Sequence, residues 1–275
     1  MKAPPAILAK YQLSNPSFIE ETHIARIWKV QTASGGWAAL KLYHKPDMGA
    51  ERAGFAVMSA LNGVAAAKVL ATSKNTALTE WLDGPSLGDL TRNGQDDKAT
   101  HHLGETAAKM HRHMPHIAAD LPNLTQWFQA LETLTFAEDC PPHAKHNLQT
   151  AQALTRQLLA TEQNPRPLHG DLHHDNIRFG PRGYAAFDAK GLIGERCFEL
   201  ANAFRNPKGA EPLHRDPTRI RHLANAWSQS FEVDAQRLLH WAAAKCALSI
   251  AWRSGGTAKN DPEFDLLATL LDSHP

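Results

Sequence analysis

Asp171, Asn176 and Asp188 lie in one short stretch, the Asn five residues and the second Asp seventeen residues after the first. A carboxylate, an amide and a second carboxylate in that order suit phosphoryl transfer. The first carboxylate can orient an attacking hydroxyl, while the amide and the second carboxylate can hold a metal that bridges nucleotide phosphates. Oxygen donors of this kind match Mg2+, which completes its shell with phosphates and water. The neighbouring cluster of His169, Asp171, His173, His174 and Asp175 also offers imidazole and carboxylate ligands for a transition metal, as in a hydrolase. That alternative leaves Asn176 and Asp188 without a role; His173 and His174 are expected instead as loop residues facing the cleft or solvent.

The catalytic loop of protein kinases, H-R-D-x-x-x-x-N followed by D-F-G, has the same spacing. Here Gly170 stands in place of the Arg, and Ala189-Lys190 in place of the Phe-Gly pair. The run Leu168-His169-Gly170-Asp171-Leu172-His173-His174-Asp175-Asn176 resembles the aminoglycoside phosphotransferase family. Asp188-Ala189-Lys190-Gly191-Leu192-Ile193-Gly194 narrows the likeness to its aminoglycoside/hydroxyurea kinase branch, and Glu199-Leu200-Ala201 occupies the place of the family's Asp-Leu-Ala. The resemblance runs from about Ile24 to about Pro207.

That resemblance implies an α+β, two-lobed protein-kinase-like fold, with a small β-rich N-terminal lobe over residues 1–82 and a helical lobe over residues 83–275. It implies transfer of the γ-phosphate of ATP or GTP, with Mg2+, to a hydroxyl of a small molecule, an aminoglycoside such as streptomycin being foremost. The same scaffold serves choline, homoserine and sugar-like alcohols, and a pseudokinase module that binds nucleotide without turnover is a further alternative. By the resemblance Asp171 is the catalytic carboxylate, and Asn176 and Asp188 are the metal ligands. Lys41, in Ala38-Ala39-Leu40-Lys41, matches the strand lysine that contacts the nucleotide phosphates, and Glu51 is its expected ion-pair partner. Glu80-Trp81-Leu82 is the expected hinge, where the backbone of Glu80 and Leu82 meets the nucleobase. His169 is expected to brace the metal-binding segment, and Glu199 to act as scaffold. Lys190 can neutralise phosphate charge or fix the loop through Glu195 or Glu199.

The elements that must position these groups are legible in outline. Ala25–Gln31 and Trp37–Tyr43 alternate around the turn Ser34-Gly35-Gly36 and read as a hairpin. Glu51–Leu61 has helical period, with Phe55, Met58 and Leu61 on one stripe. Lys68–Ala71 and Ala77–Leu82 read as a second strand pair, and Asp83-Gly84-Pro85 punctuates the chain where the hinge is expected. Helices are expected over Asp96–His113, Gln149–Glu162 and Asp234–Arg253. The phosphate-covering segment, Thr22-His23-Ile24-Ala25-Arg26, lacks the glycines that let backbone N–H groups approach phosphates.

Composition excludes several classes. A formal net charge of +1 with no basic run or acidic tail gives no case for nucleic acid or a membrane surface. Cys140, Cys197 and Cys246 are three and far apart, so no disulfide framework is expected. Leu238–Trp252 is interrupted by His240, Lys245 and Ser249 and cannot span a bilayer, so a cytoplasmic protein is expected. For a polycationic acceptor, carboxylates must line the pocket; the candidates are Glu195, Asp216, Asp234, Asp261, Glu263, Asp265 and Asp272.

Overall fold

Alternation of apolar and polar side chains makes Ala25–Gln31 (β2) and Trp37–Tyr43 (β3) an antiparallel hairpin, with Ile27 opposite Lys41. In the computed structural model, which describes residues 1–117 and 119–275, this hairpin is the middle of a five-stranded antiparallel sheet. Ser14–Glu21 (β1) pairs outside β2, and Thr76–Glu80 (β5) joins β3 to Val69–Thr72 (β4). Side chains alternate across a strand. Ala38 and Leu40 therefore pack with Trp28, Val30 and Leu78 on one face, and Ala39 and Lys41 reach the other, beside Ile27, Ala77 and Thr79.

Two N-terminal elements go beyond the sequence expectations. The short helix Pro5–Lys10 (α1) covers the sheet through Ile7 and Leu8. Strand β1 is almost wholly exposed, contains Pro16 and pairs with β2 through two irregularities. An edge strand of that kind carries no apolar alternation to read.

Glu51–Leu61 (α2) runs between β3 and β4, as its period predicts. Beyond β5 the chain turns helical, with Leu87–Arg92 (α3) and Asp96–His113 (α4) first. The helix expected from Gln149 begins earlier, at Pro142, and ends at Ala160. Proline suits a first helical turn, and the exposed His143, Lys145 and His146 hide the period there. The helix Ala235–Arg253 is buried all round from Trp241 to Ala251, Leu248 and Ile250 included, which explains its all-round apolar pattern. Among the described residues no helix is long and apolar enough to cross a membrane.

Two small antiparallel pairs hold the site segment. Arg166–Leu168 pairs with Leu192–Gly194, and Ile177–Gly180 with Gly183–Ala186. The loops of residues 169–176 and 187–191 are thereby brought side by side, joined by Phe187 N–H to the Asn176 carbonyl and by Lys190 N–H to the His169 carbonyl, at 2.9 and 2.8 Å. Glu199, fully buried on the 3-10 segment Arg196–Arg205, accepts from the backbone N–H of His169 and of Gly170, both at 2.9 Å. Its Oε2 also meets His111 Nε2 of α4 at 2.7 Å. Burial alone would raise the Glu199 carboxyl, but His111 and the Gly170 N–H outweigh it and hold it below the ordinary glutamate value. The second loop is pressed onto α2. A Cβ on Gly54 would lie 1.8 Å from the Ala189 carbonyl oxygen, and one on Gly191, at φ 71°, would lie 2.2 Å from the Ala53 carbonyl carbon.

Removing Glu199 leaves buried donors without an acceptor. Glu199→Ala is expected to cost about 3–5 kcal/mol, read from denaturant midpoints. The folded pKa is depressed, so the carboxylate's contribution is complete above the unfolded value of about 4.3 and fades as pH falls through the folded value. The variant should lose that part of the acid slope. Gly54→Ala should destabilise by about 1–3 kcal/mol, because neither backbone at the contact can yield cheaply.

Candidate active site

Asp171 directly follows the His169-Gly170 backbone that Glu199 fixes. Its Oδ1 accepts from Asn202 Nδ2 at 2.8 Å, and its backbone carbonyl accepts from Asn176 Nδ2 at 2.9 Å. The second bond orients the Asn176 amide. His169 is fully buried; its Nε2 lies 3.0 Å from the Phe187 carbonyl and its Nδ1 accepts from Asp171 N–H at 3.3 Å. Burial lowers its pKa, and the ring spans the two loops as a brace.

Across the cleft, Lys41 Nζ lies 2.5 Å from Glu51 Oε2 and 3.1 Å from Asp188 Oδ1. Tyr43 donates its hydroxyl to the same Glu51 oxygen at 2.9 Å. Burial and the Glu51 carboxylate push that phenol's pKa up, so it remains a donor. Lys190 Nζ closes the group, 3.4 Å from Glu51 Oε1 and 3.7 Å from Asp188 Oδ2. It does not reach toward Glu195 or Glu199, which are occupied by Arg237 and His111. Asp188 sits at φ 61°. Burial would raise its carboxyl, but Lys41 and Lys190 outweigh that and hold it below the ordinary aspartate value. An ionised carboxylate beside an oriented amide oxygen is a hard-oxygen donor set, and it fits a divalent ion of the Mg2+ type.

Two hollows meet here, sharing Asn176, Asp188 and Lys208. The one under the sheet, of about 680 Å3, is lined by Ala39, Lys41, Thr79, Glu80, Leu82 and Phe187, among others. Thr22, His23 and Ile24 form its rim. Thr22 closes that turn, its N–H donating to the Ala25 carbonyl at 2.8 Å and its Oγ1 accepting from Ala25 N–H at 3.1 Å. The hinge side chains are not interchangeable. Glu80 accepts from Lys68 N–H at 2.8 Å and pairs with Arg182, while Leu82 is buried against Gly180.

The second hollow, of about 620 Å3, opens past Asp171 toward the late helices. Among the described residues its acidic lining is Asp171, Asp175 and Asp188. The expected acceptor-binding carboxylates are engaged elsewhere. Glu195 is buried on Arg237, Asp216 and Asp234 cap helices, and Asp265 and Asp272 are exposed outside it. Asp261 and Glu263 hold Arg253, and Glu263 also holds Arg205, at the hollow's edge. Lys245 is buried in its wall, donating to Ser249 Oγ at 2.9 Å and lying 4.9 Å from the Trp252 ring. Burial lowers its pKa to about 8. Trp227 and Trp241 are core, so Trp252 is the late tryptophan that faces the hollow.

His174 overturns the expectation of a cleft-facing loop residue. It is fully buried near Trp227, with burial driving its pKa well down. Among the described residues the metal-ligating atoms that converge within 4.8 Å belong to His101, His102 and Glu105, not to the His169–Asp175 cluster. Asn202, Tyr43 and Lys245 carried no sequence signal of their own. Asn202 follows Glu199 by three positions, which is the clue that was present.

Residues 10–256 match the model of the aminoglycoside/hydroxyurea antibiotic resistance kinase family, beyond the Ile24–Pro207 likeness on both sides. The chain is 36% identical over 254 residues to streptomycin 3''-kinase of Klebsiella pneumoniae, spanning 90% of this chain and 91% of that one. Solved structures share the fold at lower identity. An amicoumacin kinase in complex with AMP-PNP, Ca2+ and Ami aligns with TM-score 0.62 at 14% identity, over 98% of this chain and 91% of the other. An aminoglycoside phosphotransferase variant with ADP and hygromycin B gives 0.59 at 14%, over 96% and 94%. A Mesorhizobium loti protein of the choline/ethanolamine kinase family gives 0.64 at 14%, over 98% and 95%. The antiparallel sheet followed by a mostly helical part is thus the protein-kinase-like fold, and the chain belongs to the aminoglycoside/hydroxyurea antibiotic resistance kinase family of phosphotransferases.

Proposed function

We propose that the protein moves the γ-phosphate of ATP or GTP onto a hydroxyl of an aminoglycoside, with streptomycin the first candidate. The observation that carries this is the meeting of Lys41, Asp188, Asn176 and Asp171 at the junction of the two hollows. The identity to a streptomycin kinase across 90% of the chain supports the acceptor class.

Residues 1–82 serve as the nucleotide-binding lobe, and residues 83–275 carry the catalytic loop and acceptor pocket. The nucleotide lies under the sheet, its base against the backbone of Glu80 and Leu82 and its phosphates on Lys41, which Glu51 holds in place. Asn176 and Asp188 would hold Mg2+, which would neutralise charge on the phosphates when bound. The acceptor enters the second hollow, and its hydroxyl donates to Asp171, whose carboxylate Asn202 aligns. The acceptor oxygen bonds to the γ-phosphorus as the bond to the β-bridging oxygen breaks. The nucleoside diphosphate leaves, and the hydroxyl proton passes to Asp171 and on to solvent.

A second reading, a metabolite alcohol as acceptor, draws on the lining of the acceptor hollow. Lys245 and Lys208 face a space whose own carboxylates are Asp171, Asp175 and Asp188, and Asp175 is already paired with Arg92.

The test is release of nucleoside diphosphate from Mg-ATP and Mg-GTP with and without streptomycin. Streptomycin-stimulated turnover is expected, and Asp171→Asn should lower it by about 100-fold or more while nucleotide still binds. Asp188→Ala should lose Mg-dependent nucleotide affinity as well, measured by calorimetry. Nucleotide binding without stimulation moves the acceptor to a metabolite alcohol, and an Asp171→Asn variant as active as wild type overturns the mechanism.

A further inference from the structure

Lys190 is a cation of this site that the reaction above leaves unused. Its ammonium lies 3.4 Å from Glu51 Oε1, 3.7 Å from Asp188 Oδ2 and 3.9 Å from Asp171 Oδ2. It therefore stands between the carboxylate that faces the acceptor and the carboxylate that faces the phosphates. It lines the hollow under the sheet, close to where the two hollows meet at Asp188.

The placement is built in. The backbone N–H groups of Lys190 and Gly191 both donate to the His169 carbonyl, at 2.8 and 3.1 Å. On the other side, the close approaches at Gly54 and Gly191 leave no room for the segment to slide along α2. The lysine stem thus rises from a clamped support, and its side chain is 28% exposed, enough to meet a ligand from the cleft. A divalent ion bound on the Oδ2 side of Asp188 would have to sit against this ammonium, and like charges at such a distance repel strongly.

We propose that Lys190 is a catalytic residue whose ammonium contacts the transferring phosphoryl group and stands in for a second divalent ion, so that the site works with one metal per nucleotide. The proposal rests on the phosphotransferase reading of the site given above. Lys41 then serves the nucleotide side of the phosphate chain, and Lys190 the oxygens that gain charge as the phosphoryl group moves.

Metal counting tests this without need of the acceptor. Mn2+ is titrated against the full chain saturated with the imido analogue of ATP, or of GTP if only guanine binds, and free Mn2+ is followed by electron paramagnetic resonance. One bound Mn2+ per nucleotide is expected for wild type and for Lys190→Arg, and two for Lys190→Met. With an active acceptor, Lys190→Met should lose about 100-fold in kcat with acceptor KM changed less than about threefold, and Lys190→Arg should recover part of the loss. Two Mn2+ ions in the wild-type complex, or a Lys190→Met variant with one Mn2+ or near wild-type kcat, overturns the assignment and leaves the proposed function standing. A wild-type chain that binds no metal–nucleotide overturns both.

Discussion

The buried carboxylate of Glu199 is the constraint on which the site depends. It is fully buried, and three donors converge on it: His111 from α4 and the backbone of His169 and Gly170. A charge in such a place is tolerated only when fully hydrogen bonded. That requirement fixes the start of the catalytic loop relative to the helical core, and Asn202, on the same 3-10 segment, then aligns Asp171. Scaffold and candidate catalyst are thus referenced to a single short stretch of chain.

A second charge cluster grows outward from it. Glu51 is shared by Lys41, Lys190 and Tyr43, and Asp188 by the two lysines. Two ammonium groups among Glu51, Asp171 and Asp188 leave the cluster short of one positive charge, a balance suited to receiving a cation together with an anionic nucleotide. On the proposed function, phosphate contacts come from side chains below the nucleotide. The turn above it has no glycine and is stapled by Thr22, so it offers few free amides.

Much of this was legible in the chain. Asp171, Asn176 and Asp188 are close in sequence, and the loops that carry them are short, so spacing translates directly into geometry. The hairpin β2–β3 and the helices α2 and α4 follow from strong periodicity. Strand β1 was illegible because its polar, proline-containing edge makes no pattern, and the acceptor hollow because residues distant in sequence build it. His174 misled for a related reason: a polar residue beside a catalytic loop reads as exposed, yet here Trp227 and neighbouring helices enclose it. Lys190 lay in plain view, but which carboxylates it meets depends on how its loop packs against α2.

That packing has a bearing on regulation. In protein kinases the helix equivalent to α2 is moved to make or break the lysine–glutamate pair. Here Gly54 and Gly191 let the backbones of α2 and of the Asp188 loop interlock, and Glu51 is held by lysines from both sides. Swinging the helix outward would tear apart the interlock and both ion pairs together. The lysine–glutamate pair is therefore part of the packing of the chain itself, tied to the same contacts that seat the Asp188 loop.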